Sequence, residues 1–230
     1  MRQRVDFFSA SGFSFRIGWL WLGCILLASC TPVYIPNAVN VPLLGGKGEA
    51  NIQASLGTSM ADIQAAVAVT DHFALMANGS FGSEEDGDHL FLEGGAGYFK
   101  KMGKAGRYEM FAGYGWGRTE STIEGSLGGY AKGNYNRFFI QPSIGAATEN
   151  FDGAFSLRLA YVDFFNTESF AGTDTLFIEP VLTGKVGFKF VKLVLQVGIS
   201  VPFRKEVNID YQPLIFNLGL NFNLGRKSTK

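Results

Sequence analysis

The chain has almost nothing from which to build a redox or transition-metal centre, with two cysteines and two histidines in 230 residues. Both cysteines, Cys24 and Cys30, fall near the start, so the rest of the sequence holds no disulfide framework and no cysteine metal site. His72 and His89 alone leave too few ligands for a transition metal. Charge of one sign is also missing. Twenty basic and twenty acidic residues cancel, and there is no clustered basic face of the kind that binds nucleic acid. Beyond Cys30 no apolar run reaches the roughly 18 residues of a spanning helix, which excludes a transmembrane helix there. Proline is scarce at 7, against 30 glycines and 22 phenylalanines. That balance suits strands and turns and not disorder, which shuns aromatics.

What the chain does have at its start is one uncharged apolar run, Ile17–Cys30, behind Arg2, Arg4 and Arg16. A basic lead, an apolar stretch and small residues before a cut site are the parts of a secretory signal peptide. The run is shorter than the roughly 20 residues that a spanning helix requires. Its last four residues, Leu27-Ala28-Ser29-Cys30, resemble a bacterial lipobox. The resemblance implies cleavage between Ser29 and Cys30, diacylglycerol on the Cys30 sulfur, and passage of everything downstream across the inner membrane. The plainer alternative is an ordinary signal peptide that ends on a cysteine. Residues 1–29 carry three arginines and one aspartate, so the remainder of the neutral chain is near −2.

Residues 30–48 read as a lipidated, extended leader, because Thr31–Gly46 holds three prolines and two asparagines and follows no steady period. Within it, Tyr34–Glu49 (YIPNAVNVPLLGGKGE) resembles the start of small outer-membrane β-barrel lipoproteins of Bacteroidota. The resemblance implies a barrel in the outer membrane of a Gram-negative bacterium, surrounded by lipid, and says nothing about an activity. Thr31-Pro32-Val33-Tyr34 lacks the acidic run that resembles surface-export signals in such bacteria. Cys30 is therefore expected to face the periplasm, with the leader beneath or beside the periplasmic mouth of the barrel.

From residue 49 to 225 the sequence alternates with period two between turn clusters, predicting an all-β, antiparallel up-and-down barrel of about ten strands, with eight as the smaller solution. The strands are expected over 50–58, 62–69, 73–81, 89–100, 107–118, 135–147, 154–165, 175–188, 193–203 and 214–224. Residues 226–230 form a basic tail. About ten residues rising roughly 3.3 Å each at a tilt near 45° cover about 23 Å, the height of an outer-membrane apolar band. Connections alternate long and short, the long ones 82–88, 119–134, 166–174 and 204–213, in the order of outside loops and periplasmic turns. Long connections are richer in Asp and Glu, short ones in Lys.

One face of each strand is aliphatic; the other carries Asn, Gln, Ser, Gly and isolated charges, the composition of a confined, hydrogen-bonded lumen. A recurring step, Phe91-Leu92-Glu93, Phe139-Ile140-Gln141 and Phe177-Ile178-Glu179, places a Phe and an acid or amide on the inward parity. It predicts an aromatic girdle of Phe91, Phe139 and Phe177 beside a layer of Glu93, Gln141 and Glu179. Glu93, Glu109 and Glu179 balance Arg137, Arg158 and Lys185 on that face, and a buried charge without a partner costs several kcal/mol, so a structural paired network is expected. Pro142 and Pro180 interrupt predicted strands and imply bulges. Phe73, Tyr98, Tyr108, Tyr114, Trp116, Tyr135, Tyr161 and Phe188 are assigned to outward interfacial girdles.

Catalysis requires a nucleophile, a base and an orienting group in reach of one another. The one candidate is His89 with Ser80 or Ser83 across a hairpin, and any serine-rich chain offers such a neighbour, so no enzyme is predicted. The acidic run Glu84-Glu85-Asp86-Gly87-Asp88 lacks the spacing of a calcium loop. No cofactor or metal is expected beyond lipid on Cys30. The expected role is structural, adhesive or accessory, with outer-membrane lipid as surroundings, no nucleic acid, and no protein partner or ligand identified. The alternatives are a soluble periplasmic, lipocalin-like barrel that binds a small apolar ligand, and a narrow pore.

Overall fold

The computed structural model describes residues 32–84, 87–123, 129–168, 174–203 and 210–226. The predicted signal peptide, with Ser29 and Cys30, lies outside them. The period-two segments form β1 (Ala50–Gly57), β2 (Met60–Ala68), β3 (Phe73–Glu84), β4 (Gly87–Met102), β5 (Gly106–Ile123), β6 (Gly129–Ala147), β7 (Phe151–Glu168), β8 (Asp174–Gly187), β9 (Val191–Ile199), β10 (Val201–Pro202) and β11 (Leu214–Leu224). Each pairs antiparallel with its neighbour, and β1 pairs with β11, so the sheet closes on itself. β10 continues β9: Gly198 opposes Val181 and Val201 opposes Ile178 in one unbroken register. The barrel therefore has ten staves.

Alternation fixes which side chains face outward. In β11, Leu214, Phe216, Leu218, Leu220, Phe222 and Leu224 are exposed, while Asn217, Asn221 and Asn223 are buried. The same division holds around the wall: Leu56 (68% exposed) and Leu182 (63%) face out, Gln53 and Thr183 face in. The polar face is thus turned to the interior, together with inward Phe91, Phe99, Phe111 and Phe177, and the aliphatic face to the exterior. Tyr135 departs from its expected place among the outward aromatics; it shares Arg137's parity and is fully buried.

The two rims differ. Connections between β2 and β3, β4 and β5, β6 and β7, and β8 and β9 are tight turns at what we term the lower rim. At the upper rim the wall is taller than predicted, because parts of the expected long loops are strand. β3 and β4 pair up to Glu84 and Gly87, and β5 and β6 up to Ile123 and Gly129. Paired hairpins satisfy backbone groups that open loops would leave to water. The bulges expected at Pro142 and Pro180 are absent. The registers run through both positions unchanged; Gln141 and Pro142 simply lack partners on β7, and Glu179 and Pro180 lack them on β9. A missing N–H opens the ladder there without adding a residue. The register shift of the wall lies instead between Lys132 and Asn134.

The largest departure concerns the leader. Residues 33–45 do not lie beneath or beside the barrel but run through its bore, buried along nearly their whole length: Tyr34, Ala38 and Val39 are 0% exposed. At the lower rim the Lys47 N–H donates to Asp71 Oδ1 (3.0 Å) and the Gly48 N–H to the Ala68 carbonyl (2.9 Å). At the upper rim the Val33 and Tyr34 N–H groups donate to the Asp210 carbonyl (2.9 and 3.1 Å), and Tyr34 forms a parallel bridge with Tyr211. The segment escapes detection from sequence because it follows no strand or helix period; its order comes entirely from the wall around it.

Candidate functional site: the occupied lumen

A buried extended segment must find partners for its N–H and C=O groups. A closed sheet has no free edge to offer, so inward side chains must supply them. Pro36 and Pro42 each remove one donor that would otherwise require a partner. Along residues 37–45 many of the other groups are met by amides and charges. Gln196 treats Val39 as a neighbouring strand would, donating from Nε2 to its carbonyl (2.6 Å) and accepting its N–H at Oε1 (3.1 Å). Gln64 Nε2 donates to the Ala38 carbonyl (2.5 Å) and Gln141 Nε2 to that of Asn40 (2.8 Å). Lys185 Nζ donates to the Val41 carbonyl (2.7 Å), and Glu109 Oε1 accepts the Leu44 N–H (2.8 Å). Arg226 Nη2 reaches the carbonyls of Pro42 and Leu43 (3.4 and 3.3 Å). There the leader bends toward Gly45, with Leu43 at φ +52°, a conformation uncommon outside glycine.

The centre of the bore is one charged cluster. Arg137 pairs with Glu93 and Arg158 with Glu179, each at 2.5 Å and with all four side chains buried. Asn37 of the leader joins the two pairs: its Oδ1 accepts from Arg137 Nη2 (2.7 Å) and Arg158 Nη1 (2.9 Å), and its carbonyl from Arg158 Nη2 (3.0 Å). The Tyr34 hydroxyl donates to Glu179 Oε1 (3.1 Å), as does Ser200 (3.0 Å), and Asn78 donates to Glu93 Oε1 (2.8 Å). Of the three acids and three bases expected to balance on the inward face, two of each form direct ion pairs. Glu109 and Lys185, the third acid and base, are spent on the leader backbone. A second cluster was missed. Asp152 binds Lys192 (2.6 Å) and Arg226 (2.8 Å) near the lower rim. Arg226 falls in the predicted tail and Asp152 in the connection between the strands predicted over 135–147 and 154–165; in the structure β7 already begins at Phe151, which gives Asp152 the inward parity of Arg158.

Phe91, Phe139 and Phe177 all point into the lumen and are buried, but they do not form one girdle. Phe91 and Phe177 pack with Tyr34 and Tyr135 toward the upper rim; Phe139 packs lower, with Phe99, Phe111 and Leu44. The register explains the split. Phe91 lies opposite Gly117 of β5, whereas Phe139 lies opposite Gly113, nearer the lower rim. The residue level with Phe91 is Tyr135, whose ring stacks on it at 5.5 Å. Glycines on β5 make room for these rings: a Cβ at Gly117 would sit 2.2 Å from the Tyr135 ring, and one at Gly113 2.5 Å from that of Phe139.

His89 is buried and inward, with its ring nearly parallel to Tyr135 at 6.5 Å. Ser83 is exposed on the opposite face of the sheet, and the Ser80 hydroxyl donates to the Ser59 carbonyl (3.3 Å). Neither ring nitrogen of His89 has a hydrogen-bond partner among the described residues, so no bond joins it to Ser80 or Ser83. Glu85 and Asp86 of the acidic run lie outside the described residues. No family model matches the chain, and comparison with curated proteins finds no match.

Proposed function

We propose that the protein is an integral outer-membrane β-barrel lipoprotein of a Gram-negative bacterium, sealed by its own N-terminal segment and non-enzymatic, with a structural, adhesive or accessory role. The observation that carries this reading is the direction of the wall. A continuous band of exposed aliphatic and aromatic side chains surrounds an interior of hydrogen-bonded amides and ion pairs. Exposing an apolar surface of that extent to water is unfavourable at roughly 25 cal/mol per Å², whereas lipid accepts it without cost. Tyr98, Tyr114, Trp116 and Tyr161 on the outer face suit interfacial positions.

The lipocalin-like alternative requires an open apolar cavity, but the space a ligand would take is held by residues 33–45. The narrow-pore alternative meets the same obstacle. Against catalysis stand the Ser80 hydroxyl, which donates to the Ser59 carbonyl, the outward exposure of Ser83, and the engagement of the lumen charges with the leader.

The test uses a Cys30→Ala variant of the full chain, which removes the lipid reading from the question. A spanning barrel stays in the membrane pellet after extraction at high pH and runs as a compact, heat-modifiable band in detergent. Release into the supernatant would assign the chain to the soluble alternative.

A further inference from the structure

The two ends of the leader lie on opposite rims. Residue 46 turns into β1 at the lower rim, beside Asp71 and Ala68, while Val33 and Tyr34 are bonded to Asp210 and Tyr211 at the upper rim. Between them Leu44, Val41, Asn40, Val39, Ala38 and Asn37 meet the wall in that order. The leader is therefore a complete crossing. Residues 34–45 at full extension reach about 40 Å, ample for a band of roughly 25 Å. Two expectations drawn from sequence, projecting connections outside and Cys30 in the periplasm, cannot both hold in this molecule.

We propose that Cys30 emerges on the side of the projecting hairpins, so that its diacylglycerol enters the outer leaflet and the barrel displays its own lipidated N-terminus at the cell surface. This rests on the membrane-barrel and lipoprotein readings above and adds to them the face of the membrane. The hairpins made by β3 with β4, β5 with β6 and β7 with β8 extend the wall at the upper rim, and in outer-membrane barrels the longer projections face outward. Cys30 precedes Pro32 by two residues, a tether of at most about 7 Å. That tether cannot return through a bore filled by residues 33–45, nor span the roughly 25 Å of hydrocarbon outside the wall. An acyl chain at this point finds the upper leaflet and no other. The crossing also accounts for the missing acidic export signal after Cys30, because the wall itself carries the N-terminus across.

Three single-cysteine additions to the otherwise natural full chain test the proposal: Thr31→Cys next to Cys30, Ser83→Cys at the upper rim, and Lys104→Cys in a lower-rim turn. On cleavage Cys24 leaves and Cys30 is capped, so each variant has one free thiol. Intact cells are treated with a membrane-impermeant maleimide, then again after the outer membrane is permeabilised, and the N-terminal peptide is weighed by mass spectrometry for lipid. Heat-modifiable mobility selects folded protein in each case. Thr31→Cys and Ser83→Cys are expected to label fully in intact cells with no gain on permeabilisation, Lys104→Cys only after it, with diacylglycerol on Cys30. Thr31→Cys following Lys104→Cys overturns the proposal while leaving the barrel reading intact. Silence of both Ser83→Cys and Lys104→Cys in intact cells overturns the proposal together with the membrane reading. An N-terminal peptide without lipid overturns the lipid half alone.

Discussion

Arg158 is the residue with most to lose. Its guanidinium faces the Glu179 carboxylate on one side and both oxygens of Asn37 on the other, all out of contact with solvent. A buried ion pair need not stabilise a fold relative to apolar packing, but removing one partner strands the other charge at a cost of about 3–5 kcal/mol. Arg158→Ala should accordingly lower the temperature at which the folded gel band converts to the unfolded one. Arg118→Ala, which removes the pairing of half-exposed Arg118 with Glu120 at the upper rim, should leave it unchanged. Equal midpoints for the two variants would mean that the charged cluster does not hold the wall together. The charged residues themselves were legible, because parity along a strand decides facing and an equal number of acids and bases suggests pairing. Their partners were not. Parity does not report height, so Phe139 and Phe91 looked level in sequence although the register sets them opposite different β5 glycines.

At the scale of the element, strands and leader stand at opposite ends of legibility. β11 was placed to the residue, since six apolar side chains alternate with Asn and Gly over its whole length and closure of the sheet leaves no other register. The leader's prolines and lack of period predict an extended segment, as observed, yet its location depends on groups far away in sequence. The inward face carries Gln53, Gln64, Gln141, Gln196 and a set of asparagines; Gln64, Gln141 and Gln196 bond the leader backbone, while Asn51, Asn221 and Asn223 bond one another, and composition does not distinguish the two uses. The fit is register-specific, because Gln196 meets both the N–H and the carbonyl of Val39 and Asn37 must reach both arginines. A glycine inserted between Ala38 and Val39 displaces one half of the leader by about 3.3 Å and should lower the conversion temperature markedly. The same insertion between Thr31 and Pro32, before the bonded stretch, should have no effect. If both insertions behave alike, the leader is not seated as described.

For the whole molecule, the fold class and strand number were legible because one repeated local rule, alternation with turns, generates the entire wall. The content of the bore was not, because the leader obeys no such rule. An occupied bore has an electrical consequence: the full chain in a planar bilayer should show no steady conductance, whereas a chain in which residues 32–45 are deleted should either conduct or fail to give a heat-modifiable band. Steady ion flow through the intact chain would restore the pore reading. There is also a consequence of connectivity. The leader is covalently continuous with β1, and β1 makes one half of the β1–β11 contact that closes the ring. A filled bore leaves no room to thread a strand endwise, so the sheet has to wrap the leader before that last contact zips shut. The finished object is the molecular counterpart of a rotaxane whose axle is one end of its own wheel. A pull on the N-terminus would first load the leader's bonds to Asp210, Arg137, Arg158 and Gln196, and would reach the closing contact through Gly46 once these give way.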